Sequence, residues 1–329
     1  MFKVSHRIQI GNDTWASAEN SRLVSLFAET SLHIPVNHCR FSLTYPDGIS
    51  AAIGDEVVVE LGQGDELEKV FTGIISQVNW TFKQVHITAS SSFQHLLAQR
   101  INSYFEKPSA ADIVKELAQD AGVDTRQVDT GLTFDFYTIG DQHSGYEQLR
   151  YLADQSGVDL YADEEDKLNF TQPSSLIPYE FQFGINVLDL SIAKAESAIS
   201  RVEVLGESPA SHGQGADAAS WLTKTDVSGA EGTTSGRTRF LFDPTARTNE
   251  NAGSIASNRL AGIQALYAGR IRTLGRPEMR LGEEVKLSQM PVSEQEGSYK
   301  IVGIQHKIGP KKGFQTLLSI AQKTSTQLI

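Results

Sequence analysis

The chain has 329 residues, 40% of them apolar and 21% charged, enough for two or three domains with a sizeable core. Its formal net charge of -11 argues against a nucleic-acid-binding surface, though not against a channel that nucleic acid passes without sticking, and no run approaches the ~20 apolar residues of a membrane span. Cys39 is the only cysteine, which excludes an intramolecular disulfide and fits a reducing compartment, and Met1-Phe2-Lys3-Val4-Ser5-His6 opens no apolar signal segment.

Residues 1 to about 95 read as strands. Ile8 and Ile10, the run from Leu23 to Leu32, and Cys39-Arg40-Phe41-Ser42-Leu43-Thr44-Tyr45 are short apolar-alternating segments, and Pro46-Asp47-Gly48 is a turn signal. Ile53-Gly54-Asp55-Glu56-Val57-Val58-Val59 then gives a Gly-acid-acid turn that feeds a strand. Phe71, seventeen residues after Gly54, opens Phe71-Thr72-Gly73-Ile74-Ile75, and Val85-His86-Ile87-Thr88-Ala89 closes the unit.

From about 96 to 185 the pattern becomes mixed. Ser109-Ala110-Ala111-Asp112 has capping-box spacing and is followed by Ile113, Val114, Leu117, Ala118 and Ala121 at helical period, with Gly122 as the stop. Ser144-Gly145-Tyr146-Glu147 is a second capping box, Leu149, Leu152 and Ala153 make its apolar stripe, and Gly157 ends it. Val158-Asp159-Leu160-Tyr161 and Leu168-Asn169-Phe170 then predict a hairpin whose acidic turn, Asp163-Glu164-Glu165-Asp166, is exposed. This stretch is a small α+β insert.

From about 186 to 329 strand signals resume at Val187-Leu188-Asp189-Leu190 and Ile199-Ser200-Arg201-Val202-Glu203-Val204. The Gly/Ser/Ala/Thr-rich stretch of about 207–236 reads as a long mobile loop, and about 251–268 as a helix packing through Ile255, Leu260, Ile263 and Leu266. Leu281-Gly282-Glu283-Glu284-Val285-Lys286-Leu287 repeats the Gly-acid-acid pattern, and Tyr299 again stands seventeen residues after the glycine. Thr316-Leu317-Leu318-Ser319-Ile320 matches the closing strand, and Gln322 to Ile329 reads as a frayed tail. The fold class is therefore β-rich α+β, with two related β-barrels flanking an insert; the competing reading of the repeat is chance likeness between hairpins.

Candidate chemistry is weak. His33, His38 and Cys39 lie close together, but without a second cluster at metal-ligand spacing. Asp141, His143, Ser144 and Glu147 have acid-base residue types, yet Ser144 and Glu147 are accounted for by the helix cap, and no Gly-x-Ser-x-Gly elbow surrounds the serine. Asp55/Glu56 and Glu283/Glu284 recur at matching turns, which favours a structural role over a glycosidase pair. Gly232-Thr233-Thr234-Ser235-Gly236-Arg237-Thr238 is one residue short of a phosphate loop and has Arg in place of Lys. No catalytic, cofactor-binding or metal-binding residue is assigned, and no cofactor is expected.

The order of features is more specific than any single motif. The first Gly-acid-acid unit is followed by Ala111-Asp112-Ile113-Val114-Lys115-Glu116-Leu117-Ala118. Tyr146-Glu147-Gln148-Leu149-Arg150-Tyr151-Leu152-Ala153 then runs into Gly157-Val158-Asp159-Leu160-Tyr161. Gly275-Arg276-Pro277-Glu278-Met279-Arg280-Leu281-Gly282 and Gly297-Ser298-Tyr299-Lys300-Ile301-Val302-Gly303-Ile304-Gln305-His306 close the series. Over roughly residues 3 to 321 this order resembles the late control protein D family, the baseplate hub proteins of contractile-tailed phages. It is similar also to the N-terminal hub part of type VI secretion spike proteins.

The resemblance implies a structural protein, not an enzyme: a homotrimer whose paired barrels form a pseudo-sixfold ring. That ring joins a sixfold tail tube, or its initiator, to a threefold spike and contacts other baseplate proteins. The sequence ends eight residues after Ala321 with no oligonucleotide-fold domain or β-helix, so the spike is expected on a separate polypeptide. The expected location is the cytoplasm during assembly and then the particle baseplate. No sequence-specific nucleic acid or membrane insertion is expected, and the chain's acidity predicts a central opening without a strong positive field. The alternatives are a monomeric two-barrel ligand-binding module and a β-rich hydrolase.

Overall fold

The computed structural model describes residues 4–17, 21–45, 47–64, 66–172, 177–194, 197–207, 226–263, 267–311 and 313–322. The first strands are β1 (Val4–Ile10), β2 (Asp13–Ala16), β3 (Leu23–Ser31), β4 (His38–Thr44), β5 (Glu56–Gln63), β6 (Glu66–Trp80) and β7 (Gln84–Ser90). Strand alternation sets their packing: Cys39, Phe41 and Leu43 of β4 and Val85, Ile87 and Ala89 of β7 are buried together, and the residues between them face outward.

The middle stretch holds α1 (Phe93–Ala98), β8 (Ser103–Glu106), α2 (Ala110–Asp120), β9 (Thr125–Val128), β10 (Phe136–Ile139), α3 (Gly145–Ser156), β11 (Asp159–Ala162) and β12 (Leu168–Thr171). Both capping boxes form. The Ser109 hydroxyl accepts from the Asp112 amide and the Ser144 hydroxyl from the Glu147 amide, while each acid side chain returns to its serine. Gly157 ends α3 in the left-handed conformation, and Gly122 follows α2 at φ +67. The apolar stripes of both helices pack with Leu160, Leu168 and Phe170 of the β11–β12 hairpin into one core.

The last stretch holds β13 (Tyr179–Gln182), β14 (Asp189–Lys194), β15 (Ile199–Gly206), β16 (Ser228–Gly232), β17 (Arg237–Asp243), α4 (Asn249–Ile263), β18 (Tyr267–Leu274), β19 (Glu284–Ser288), β20 (Gly297–Gly309) and β21 (Gly313–Gln322). Two expectations change here. The stretch expected as a loop carries β16, antiparallel to β15, because Gly229 and Gly232 let the strand approach α4 and β15 closely. Residues 208–225 of that stretch, like the tail 323–329, lie outside the described residues. The helix ends at Ile263 and not near 268, since β18 already begins at Tyr267, and Leu266 is outside the described residues. α4 and the three-stranded sheet β16-β15-β17 enclose a small core of their own around Val202, Val204, Ile255 and Leu260.

The Gly-acid-acid repeat is visible in the pairing. The strands β3-β4-β7-β6-β5 and β14-β18-β21-β20-β19 follow the same order, antiparallel throughout. Gly54 donates to the Ile75 carbonyl and Ile75 to the Asp55 carbonyl; Gly282 donates to Ile301 and Ile301 to Glu283. Both glycines have positive φ, +98 and +80. Each unit carries a register shift at the equivalent place, between Ile75 and Gln77 and between Ile301 and Gly303.

One equivalence differs from the sequence spacing. Val57 opposes Gly73, whereas Val285 opposes Tyr299, so Tyr299 matches Gly73 and not Phe71. The Phe71 ring nevertheless lies over Gly73, where an added Cβ would meet its ring carbon at 2.7 Å. The first unit thus covers from two residues upstream the position that Tyr299 occupies in the second. The units join where residues 303–308 of β20 pair with β3, and their cores exchange side chains: Phe314 packs in the first and Leu32 in the second.

Candidate assembly interface

Eight strands run side by side in the order β14-β18-β21-β20-β3-β4-β7-β6, and every neighbouring pair is antiparallel. Both ends of this series are open among the described residues. β14 pairs only with β18. β6 pairs with β5 through residue 74 and with β7 from residue 74 onward, so residues 76–80 have one vacant side. An even number of alternating strands leaves β6 and β14 running in opposite directions. The β14 of a second copy beside β6 would continue the antiparallel alternation without a break.

One face of the series packs on the two cores and the other is open and polar. Cross-strand rows on the open face are set by register. Lys307, Phe27, Arg40, Thr88 and Gln77 form one row; Arg272, Leu317, Gln305, Glu29 and His38 form another. Phe27 is flanked by the Lys307 ammonium at 5.3 Å and the Arg40 guanidinium at 5.6 Å from its ring centre. At the β14 end, Asp189, Ser191, Arg270, Arg272, Lys307 and Gln315 surround a hollow of about 610 Å³.

One rim of the series collects exposed apolar side chains. β4 and β6 end there, and the β6–β7 turn carries Phe82, fully exposed, beside Trp80 and Tyr45. Tyr45 is held by its amide donating to the Lys83 carbonyl. β18 ends on the same rim at Leu274, and Phe183, Ile185 and Leu188 precede β14. A row of large exposed apolar groups at strand ends marks a contact surface.

The acidic turn between β11 and β12 is clamped, contrary to the exposed turn expected. The Asp163 side chain is only 6% exposed and lies 2.9 Å from the Arg126 guanidinium. The Glu164 carbonyl accepts from the Thr72 hydroxyl at 2.9 Å, and Asp166 accepts from the Ser92 amide at 2.9 Å. Arg280 reaches both Glu164, at 3.5 Å, and Glu68 of β6, at 3.1 Å. The turn is therefore a three-way joint between the insert and both repeat units. Burial raises the Asp166 carboxyl to about 7, with Asp163 and Glu56 adding to it and the Ser92 hydrogen bonds opposing.

The residues weighed for chemistry are scattered. Cys39 is buried in the first core and its thiol is pushed up by burial, while His38 faces the open side, 3.4 Å from Glu29, and His33 lies beyond β3. Ser144 and Glu147 are engaged in their cap; hydrogen bonds from Ser144 lower the Glu147 carboxyl. The Asp55 side chain braces its own turn by accepting from the Ala52 amide at 2.8 Å, and the Glu283 carbonyl accepts from the Ile301 amide as the Asp55 carbonyl does from Ile75. Gly232–Thr238 connects β16 to β17, with Thr233 donating to the Ser200 carbonyl. Among the described residues no three His, Cys, Asp or Glu side chains are grouped to hold a metal, and no helix is long and apolar enough to cross a membrane. The open-face cations and rim aromatics were not singled out from the sequence; their polar-apolar alternation was the available signal.

The phage tail baseplate hub (GPD) family model matches residues 40–311. The chain belongs to this family of baseplate hub proteins. No curated protein sequence matches it. Its backbone is similar to the 43 kDa tail protein of prophage MuSo2 from Shewanella oneidensis, at TM-score 0.73 and 15% identity over 98% of this chain and 99% of that one. A tail protein of Neisseria meningitidis MC58 also gives 0.73, at 12% identity over 97% of the hub chain and 96% of the other. A type VI secretion component of E. coli, described as similar to T4 tail proteins, gives 0.58 at 10% identity, over 98% of the hub chain and 77% of its own.

Proposed function

We propose that this hub closes into a homotrimeric ring that adapts a sixfold tail tube to a threefold spike carried on a separate polypeptide. The observation that carries the reading is the repeated five-stranded pairing within one continuous antiparallel series with two complementary free edges. Three copies would offer six related units, read here as barrels within residues 1–95 and 186–329, toward a sixfold partner. The insert of about 96–185, present once per chain, keeps threefold symmetry on the other side. Closure by β6-to-β14 pairing leaves no open end in the eight-strand series and needs no bond-making step, so the role is structural. Within an assembling cell the chain would fold in the cytoplasm and then remain in the baseplate.

The test is mass and symmetry together. Light scattering on the assembled hub should give three times 36.0 kDa, about 108 kDa, and a reconstruction of the particle should place three copies around the axis. Six copies per ring, or a chain lying off the axis, rejects the adaptor role. A chain that stays monomeric at every concentration and never joins the particle favours a monomeric binding module instead.

A further inference from the structure

The charges on the open face are not balanced. Among the described residues its two carboxylates are both engaged: Asp189 lies 3.1 Å from Arg272, and Glu29 lies 3.4 Å from His38 and accepts from Gln305 at 2.7 Å. Arg40, Arg270 and Lys307 have no carboxylate partner among the described residues. Arg40 and Lys307 instead lean on the two sides of Phe27, which holds their stems and leaves their charge unspent. Lys311 adds a fourth cation at the edge of the adjoining hollow. A protein of net charge -11 thus keeps a cluster of uncompensated cations on one face.

The geometry points to a binding surface for the sugar–phosphate backbone of nucleic acid, read without regard to sequence. Eight strands at about 4.8 Å spacing make a face roughly 34 Å wide, suited to a polymer more than to a small anion. Around the cations stand Gln77, Thr88, Gln305 and Gln315, whose amides and hydroxyls serve phosphate oxygens. An acidic polypeptide is less well served, because the face offers few apolar pockets for its other side chains. A few phosphate contacts of this kind are weak, salt-sensitive and compatible with sliding. The inference rests on the hub reading only for placing this face toward the central opening. There it replaces the expectation drawn from chain-wide acidity, since the local charges set the local field.

The experiment is fluorescence anisotropy of a labelled 30-base-pair duplex with the intact hub chain. Expected are saturable binding at low salt and a log K against log salt slope of about -3 to -4, as four neutralised phosphates give. The pair Arg40→Gln with Lys307→Gln should weaken binding at least tenfold and cut the slope by about two. Lys115→Gln on α2, also a loss of one positive charge, should change binding less than twofold. If the pair lowers the melting temperature, Arg270→Gln, which removes a cation that makes no ion pair among the described residues, carries the same test with a slope loss of about one. Absent binding at low salt, an equal effect of Lys115→Gln, or equally tight binding of poly-glutamate overturns the proposal. Sedimentation of the same samples separates it from the ring: a monomer that binds duplex leaves this inference standing, and a trimer that does not bind removes it alone.

Discussion

Asp166 shows how one buried carboxyl couples fold to pH. It sits at φ +62 in the hairpin turn, accepts from Ser92, and has Asp163 and Glu56 for acidic neighbours, with Arg126 and Arg280 engaged by the adjoining acids. Its carboxyl is raised from 3.8 to about 7 in the folded protein. The folded state therefore holds the proton more tightly than the unfolded chain, and stability falls as pH rises from about 4 to about 7. Asp166→Asn retains an acceptor for the Ser92 amide, tolerates positive φ and cannot ionise. It should raise stability at pH 8 by on the order of 1–2 kcal/mol and have little effect at pH 4, as read by thermal melts at both values. A variant destabilised equally at both would show that ionisation is not what matters. A second residue-scale expectation is Gly73→Ala. A Cβ there meets the Ser90 carbonyl at 2.5 Å and the Phe71 ring at 2.7 Å, so the loss should be about 1–3 kcal/mol, measured by denaturant unfolding.

At the scale of elements, what was legible depended on how local its cause was. The two capping boxes were readable because each is closed within four residues, and Leu152 at the centre of the stripe of α3 is fully buried. Leu152→Ala should cost about 2–5 kcal/mol by chemical denaturation, and an exposed-site value near zero would contradict its place in the core. The Gly-acid-acid units were readable because positive φ at Gly54 and Gly282 restricts which residue stands there. The two-residue offset between Phe71 and Tyr299 was not, because equal spacing hid a ring delivered from a different backbone position. The acidic turn looked solvated for a similar reason: Arg126, Arg280, Thr72 and Ser92 come from distant segments. β16 was masked by its glycines, which lower strand propensity while permitting close approach to α4.

At the scale of the whole molecule, the sheet edges and the rim should be separable functions. Edge pairing is a backbone matter, so amide exchange at 76–80 and 189–194 should slow when copies assemble, while the rim is free to change its side chains. Phe82 is fully exposed at the tip of the β6–β7 turn and contributes no buried surface to the single chain. Its counterpart in the second unit, the β20–β21 turn, carries Pro310 and Lys311, so the related units present different tips to one partner. If the rim meets the tube, an aromatic anchor of this kind contributes on the order of 2 kcal/mol per copy. Phe82→Asp should then leave melting temperature and hub mass unchanged while lowering tube or initiator capture by at least tenfold in a pull-down with purified partner. Loss of hub mass in that variant would place Phe82 between hub copies instead. Unchanged capture would put the tube on the opposite rim, where the strands of the series leave the β11–β12 joint and the insert.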